Sequence, residues 1–142
     1  PCSRVSPPSS ENGTHRALEP WERDLVASMV GKHDFSAAAM LMLYAGLRRG
    51  EMLAFNIDRD ADFERGVLHV REAIVFDNNR PVLTDPKTDA GIRAIPLFAP
   101  LRAALEGKHG LVLPARDGGY MTKTGFRRKW NSYLRLLGEL QN

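Results

Sequence analysis

Tyr44-Ala45-Gly46-Leu47-Arg48-Arg49-Gly50-Glu51-Met52-Leu53 is the stretch on which the fold of this 142-residue chain turns. Asp34 and the run FSAAAMLMLYAG lead into it, apolar on nearly every face. That pattern predicts a buried central helix, capped by the Asp34 carboxylate and stopped at Gly46, where glycine suits a left-handed C-terminal position. A short helix, LRRGEMLAF, follows with almost no gap. Glu51 stands three residues after Arg48, on the same side of that helix, within reach of Arg48 or of its neighbours' amides. Such an arrangement fixes a guanidinium at the rim of a cleft. A planar, permanently charged fork is suited to clamping a phosphate at two points. Taken alone, the run reads more simply as a solvated helix-start arginine with a capping glutamate.

Upstream, Glu19-Pro20-Trp21-Glu22 opens a helix, with proline in the first turn and acids at the positive dipole end. It is expected to run to about Val30 and stop near Gly31. Residues 1–14, PCSRVSPPSSENGT, have linker composition, and the reading is a linker over 1–14 and a domain over 15–142. Cys2 is the one cysteine, which excludes an internal disulfide and makes a reducing, cytoplasmic setting the expectation.

Downstream the period changes. Asn56 to Arg65 is polar and turn-rich. From Val67 to Phe76, Leu68, Val70, Ile74 and Phe76 alternate with His69, Arg71 and Val75. Asp77-Asn78-Asn79 is turn chemistry, and Arg80–Leu83 and Ile92–Ile95 supply further strands. Between them lies Asp85-Pro86-Lys87-Thr88-Asp89-Ala90-Gly91, a loop with a lysine at its centre. The fold class is α+β and mainly helical, with helices around a small antiparallel three-stranded sheet. Pro100–Glu106 reads as a helix and Leu111-Val112-Leu113 as a short buried strand. Thr122 caps a last helix running to Gly138, with Phe126, Trp130, Leu134 and Leu137 as its packed face.

Charge concentrates at this end. The whole chain carries a formal +3, whereas Arg116 to Asn142 holds six basic residues against two acidic ones. Arg127, Arg128, Lys129 and Arg135 lie off the apolar stripe, a placement suited to a polyanion. No apolar run approaches the ~20 residues of a membrane helix. The chain has no Gly-rich phosphate loop, no Gly-x-Ser-x-Gly elbow, and no histidine cluster at metal spacing, since His15, His33, His69 and His109 stand singly. An ordinary hydrolase, kinase or metalloenzyme is therefore poorly supported.

The order of the pieces carries more than any one of them. AGLRRGEML, then VLHVREAIVF, then DPKTDAGIRAIPL resembles the catalytic domain of the phage-integrase, or tyrosine recombinase, family. Lys87 follows Arg48 by 39 residues, a natural interval for that family, and the likeness extends over roughly Pro1 to Gly138. The resemblance implies site-specific DNA recombination or integration by the longer protein, as in phages and mobile elements, by a mechanism that needs no metal and no cofactor. It implies that Arg48 binds the scissile phosphate and that Lys87 is a general acid delivering a proton to the leaving 5′-oxygen. Glu51 and Gly46 become structural support. Thr88, Arg93, Lys123, Thr124, Arg127 and Arg128 become candidate contacts to double-stranded DNA.

The family's later elements, a His-x-Leu-Arg-His segment and a tyrosine nucleophile, do not appear. Tyr120 and Tyr133 come too early, with Tyr133 expected in the core. The chain is thus read as the N-terminal part of a catalytic domain, inactive alone and monomeric, from a parent that is tetrameric on DNA. A non-catalytic module that binds the DNA backbone through the basic last helix is the alternative.

Overall fold

The computed structural model describes residues 17–84 and 92–141. Helix α1 spans Pro20–Ser28, opened by Glu19, whose amide donates to Glu22 Oε2 at 2.7 Å. Helix α2, Ser36–Tyr44, is apolar around its whole circumference, and Ser36 to Leu41 are all buried. Its predicted cap is corrected: Asp34 does not cap. No side chain caps α2; the Phe35 amide just ahead of it donates to His33 Nδ1 at 3.0 Å. Asp34 turns outward to Lys129 of the last helix.

Helix α3, Arg49–Ala54, follows at once. The polar stretch read as turns holds a further short helix, α4 (Ile57–Asp60), and strand β1 (Ala61–Asp62). Asn56 caps α4 through its side-chain oxygen. Buried Asp60 is satisfied by the Asn56 amide and by Arg59, which also reaches Glu72.

The alternating run is split into two strands, β2 (Val67–Val70) and β3 (Ala73–Asp77), broken at Arg71-Glu72. Their faces are as expected, with Leu68, Val70 and Ile74 buried and Val75 exposed. The expected small three-stranded antiparallel sheet is present, and the described strands also form a second, two-stranded one. Strand β5 (Arg93–Pro96) pairs with β2, giving the three-stranded order β1-β2-β5, while β3 pairs only with β4 (Arg80–Thr84) as a separate hairpin. All of these pairs are antiparallel. The hairpin turn holds Asn78 at φ 58°, a left-handed position that asparagine tolerates well.

Helix α5, Ala99–Leu105, packs on α2. Leu111 forms a single bridge to Asn56 where a short strand was expected, although Val112 and Leu113 are buried as predicted. The last helix, α6 (Lys123–Gln141), continues past Gly138, and Thr122 Oγ1 accepts from the Gly125 amide at its start. Its packed face is rotated from the expected one. Phe126 and Tyr133 are buried and Leu137 is half-buried, but Trp130 and Leu134 are 36% and 43% exposed. At ~100° per residue, Tyr133 and Leu137 return to within about 20° of Phe126, whereas Leu134 has drifted about 80°. Phe35 receives this face, with ring centroids 5.8 Å from Phe126 and 5.2 Å from Tyr133.

Candidate functional site

The turn between α2 and α3 is held from three sides. Gly46 takes φ 69°, the left-handed region that disfavours a side chain. Leu47 next to it is 3% exposed and anchors the turn in the core. Arg48 is then extended (φ −73°, ψ 158°) as the residue before α3, so its side chain leaves the core and is exposed. At Gly50 a side chain has no room, since a Cβ there would lie 2.4 Å from the carbonyl oxygen of Ile74. Glycine therefore lets α3 lie against the backbone of β3.

Glu51 locks this turn to the sheet. Its Oε1 accepts from the Arg48 amide at 2.9 Å. Arg93, the first residue of β5, grips the same carboxylate with Nη1 on Oε2 at 2.6 Å and Nη2 on Oε1 at 3.0 Å. The Glu51 carboxyl is held below its ordinary range, chiefly by the Arg93 hydrogen bond, which with the Arg48 amide outweighs the opposing effect of burial. Arg93 is correspondingly raised by Glu51. Glu51, expected as structural support, holds both the Arg48 amide and the Arg93 guanidinium. Arg93, expected at DNA, has its charge engaged by Glu51. The Arg48 guanidinium has no ion-pair or hydrogen-bond partner among the described residues and is left available to an anion.

Lys87 and Thr88 lie outside the described residues. The strands flanking their loop are described, and Thr84 at the end of β4 donates its hydroxyl to the Ala73 carbonyl at 2.9 Å. The returning strand begins at Arg93, on Glu51.

At the start of α6, Lys123, Arg127 and Arg128 are exposed. Thr124 is also exposed, but both its amide and its hydroxyl donate to Asn79 Oδ1 at 2.8 Å. The Lys123 amide reaches the Asn79 carbonyl at 3.3 Å. These bonds tie the hairpin turn to the first turn of α6. Arg128 and Arg116 border an open groove of about 420 Å³ with Thr122 and Lys129, the last of these paired with Asp34.

Two residues escaped the sequence reading. Arg49 lies against two rings, its guanidinium carbon 5.2 Å from the Phe76 centroid and 5.5 Å from that of Phe126. Asn79 was legible as turn chemistry but not as the clasp on α6, because its partner is 45 residues away. Among the described residues no group of three or more His, Cys, Asp or Glu side chains is placed to hold a metal ion. None of their helices is long and apolar enough to cross a membrane.

No family model matches the chain. Over 70 residues, 49% of the chain, it is 39% identical to prophage integrase IntR of Escherichia coli (strain K12), a match that takes in 16% of that protein. Its fold is similar to that of the Tn1549 transposon integrase solved with circular intermediate DNA, with a TM-score of 0.67 and 21% identity, covering 88% of this chain and 48% of that one. The same integrase with transposon right end DNA gives 0.65 and 20%, covering 83% and 44%. The chain thus spans about half the length of the solved integrase chains and a smaller part of the prophage integrase.

Proposed function

From a chain that is similar in sequence to an integrase, and that has the integrase catalytic-domain fold, we propose a part in site-specific DNA recombination. In this reading the chain is the first portion of the catalytic domain of a longer tyrosine recombinase and engages double-stranded DNA. The observation that carries it is the Arg48 guanidinium, exposed and without a partner among the described residues, on a turn made rigid by Glu51 and Arg93. A rigidly mounted cation aimed at phosphate oxygens stabilises the charge that grows there during phosphoryl transfer.

Arg48 grips the non-bridging oxygens of the scissile phosphate. Lys87, six residues before the Arg93 anchor, gives its proton to the leaving 5′-oxygen. The attacking tyrosine is not among the residues of this chain in that role. Tyr133 is 1% exposed and packed on Phe35, so its hydroxyl has no path to a phosphate. In the longer protein a tyrosine attack forms a 3′-phosphotyrosyl bond that conserves the energy for rejoining, within four protomers on two duplexes. Alone, the chain binds as a monomer and does not cleave. Lys123, Arg127 and Arg128 add charge contacts along the duplex.

The test is binding to a fluorescent DNA duplex at low salt. Arg48→Ala is expected to weaken binding several times more than Arg128→Ala. Equal small losses at every basic position, scaling only with salt, would favour a non-catalytic module that binds the backbone by charge.

A further inference from the structure

We infer that Arg49 is a phosphate-contacting residue, held in place by the rings of Phe76 and Phe126, that joins Arg48 to the basic start of α6. The inference rests on the DNA-binding reading above and adds a contact which that reading does not include.

Arg49 is exposed, and none of its N–H groups has a hydrogen-bond or ion-pair partner among the described residues. Several other arginines are differently placed. Arg93 is engaged by Glu51, Arg59 by Asp60 and Glu72, and Arg102 by the Phe63 carbonyl. Arg49 instead lies against two aromatic faces, at 5.2 Å and 5.5 Å. Contact with ring faces attracts the cation through the ring quadrupole. It restrains a side chain that is otherwise rich in rotamers, while the in-plane N–H edges stay free to donate. An arginine already ordered loses less entropy when it grips a phosphate.

The position matters as much as the restraint. Arg49 follows Arg48 directly, and its second ring belongs to α6, where Lys123 and Arg127 flank Phe126 in sequence and are exposed. Phe76 lies on β3, whose turn is clasped to α6 by Asn79. The guanidinium therefore sits where α3, the hairpin and α6 meet. This placement connects two groups of cations that are far apart in sequence, and a polyanion following Arg48 toward α6 meets Arg49 on the way.

A merely structural role, a cationic rivet between two rings, makes a different prediction, and two variants separate them. Arg49→Met keeps an apolar stem against both rings and removes the charge. Arg49→Lys keeps the charge. With a fluorescent duplex over a range of salt, Arg49→Met is expected to bind roughly tenfold more weakly at 0.1 M salt, with a log–log salt slope shallower by about 1. Arg49→Lys is expected to keep the slope, and both should melt close to the unsubstituted chain. If Arg49→Met binds with unchanged affinity and slope, Arg49 is only a rivet and the inference fails while the DNA reading stands. If the unsubstituted chain binds no duplex even at low salt, the DNA reading itself fails and takes the inference with it.

Discussion

Glu51 and Arg93 are 42 residues apart in sequence and meet through two parallel hydrogen bonds, of 2.6 and 3.0 Å. Because Glu51 also accepts the Arg48 amide, this one carboxylate fastens the turn that presents Arg48 to the first residue of β5. A two-point pair fixes orientation as well as distance, which a single exposed ion pair does not.

Breaking this pair should loosen the turn. Glu51→Gln or Arg93→Ala is expected to cost about 1–2 kcal/mol, between the values for exposed and buried pairs because Arg93 stays partly exposed. The pH dependence follows from the lowered Glu51 carboxyl. Its stabilising share is complete above the ordinary value of 4.5 and disappears as the pH falls through the lower folded value. Urea melts of the native chain and Glu51→Gln should therefore converge as the pH is taken below 4.5. A gap that persists unchanged into acid would count against the ion pair as its source.

Gly50→Ala is expected to destabilise the chain by about 1–3 kcal/mol, as overpacking commonly does. The new Cβ would stand 2.4 Å from a backbone oxygen of β3, which cannot rotate away as a side chain can. Thermal unfolding gives the answer directly, and an unchanged melting temperature would mean that α3 and β3 are less tightly apposed.

Asn79→Ala removes the acceptor for both the amide and the hydroxyl of Thr124. The expected loss is about 1–2 kcal/mol, in the range for removing a helix-capping side chain. Amide hydrogen exchange should quicken first at Lys123 and Thr124. Uniform quickening over the whole chain would instead indicate a global effect.

Tyr133→Phe should be close to neutral at pH 7, since the buried hydroxyl has no hydrogen-bond partner among the described residues. Burial pushes the phenol from its ordinary 10 up to about 12. The folded state therefore disfavours ionisation, and stability is lost as the pH climbs from 10 toward 12. Ultraviolet titration should show one late tyrosine that Tyr133→Phe abolishes, along with part of the alkaline loss of stability. A full complement of tyrosines titrating near 10 in the folded chain would contradict the burial.

The sequence by itself determined the elements whose signals are local. The all-round apolar run made α2 a buried helix, Gly46 ended it, and Thr122 marked the start of α6. The bond from the Arg48 amide to Glu51 was legible because the two lie within one helical turn. Only tertiary structure decided what depends on residues far apart in the chain. The alternation from Val67 to Phe76 specified two faces but not which partner each strand would take, because ladder hydrogen bonds involve backbone groups common to every residue. Asp34 chose Lys129 over its own helix, and the stripe of α6 rotated to put Tyr133, not Leu134, beneath Phe35. Arg93 was drawn to Glu51, and Arg49 to two rings from separate elements. In each case the energy lies in contacts that exist only once the chain has closed on itself, and local spacing carries no record of them.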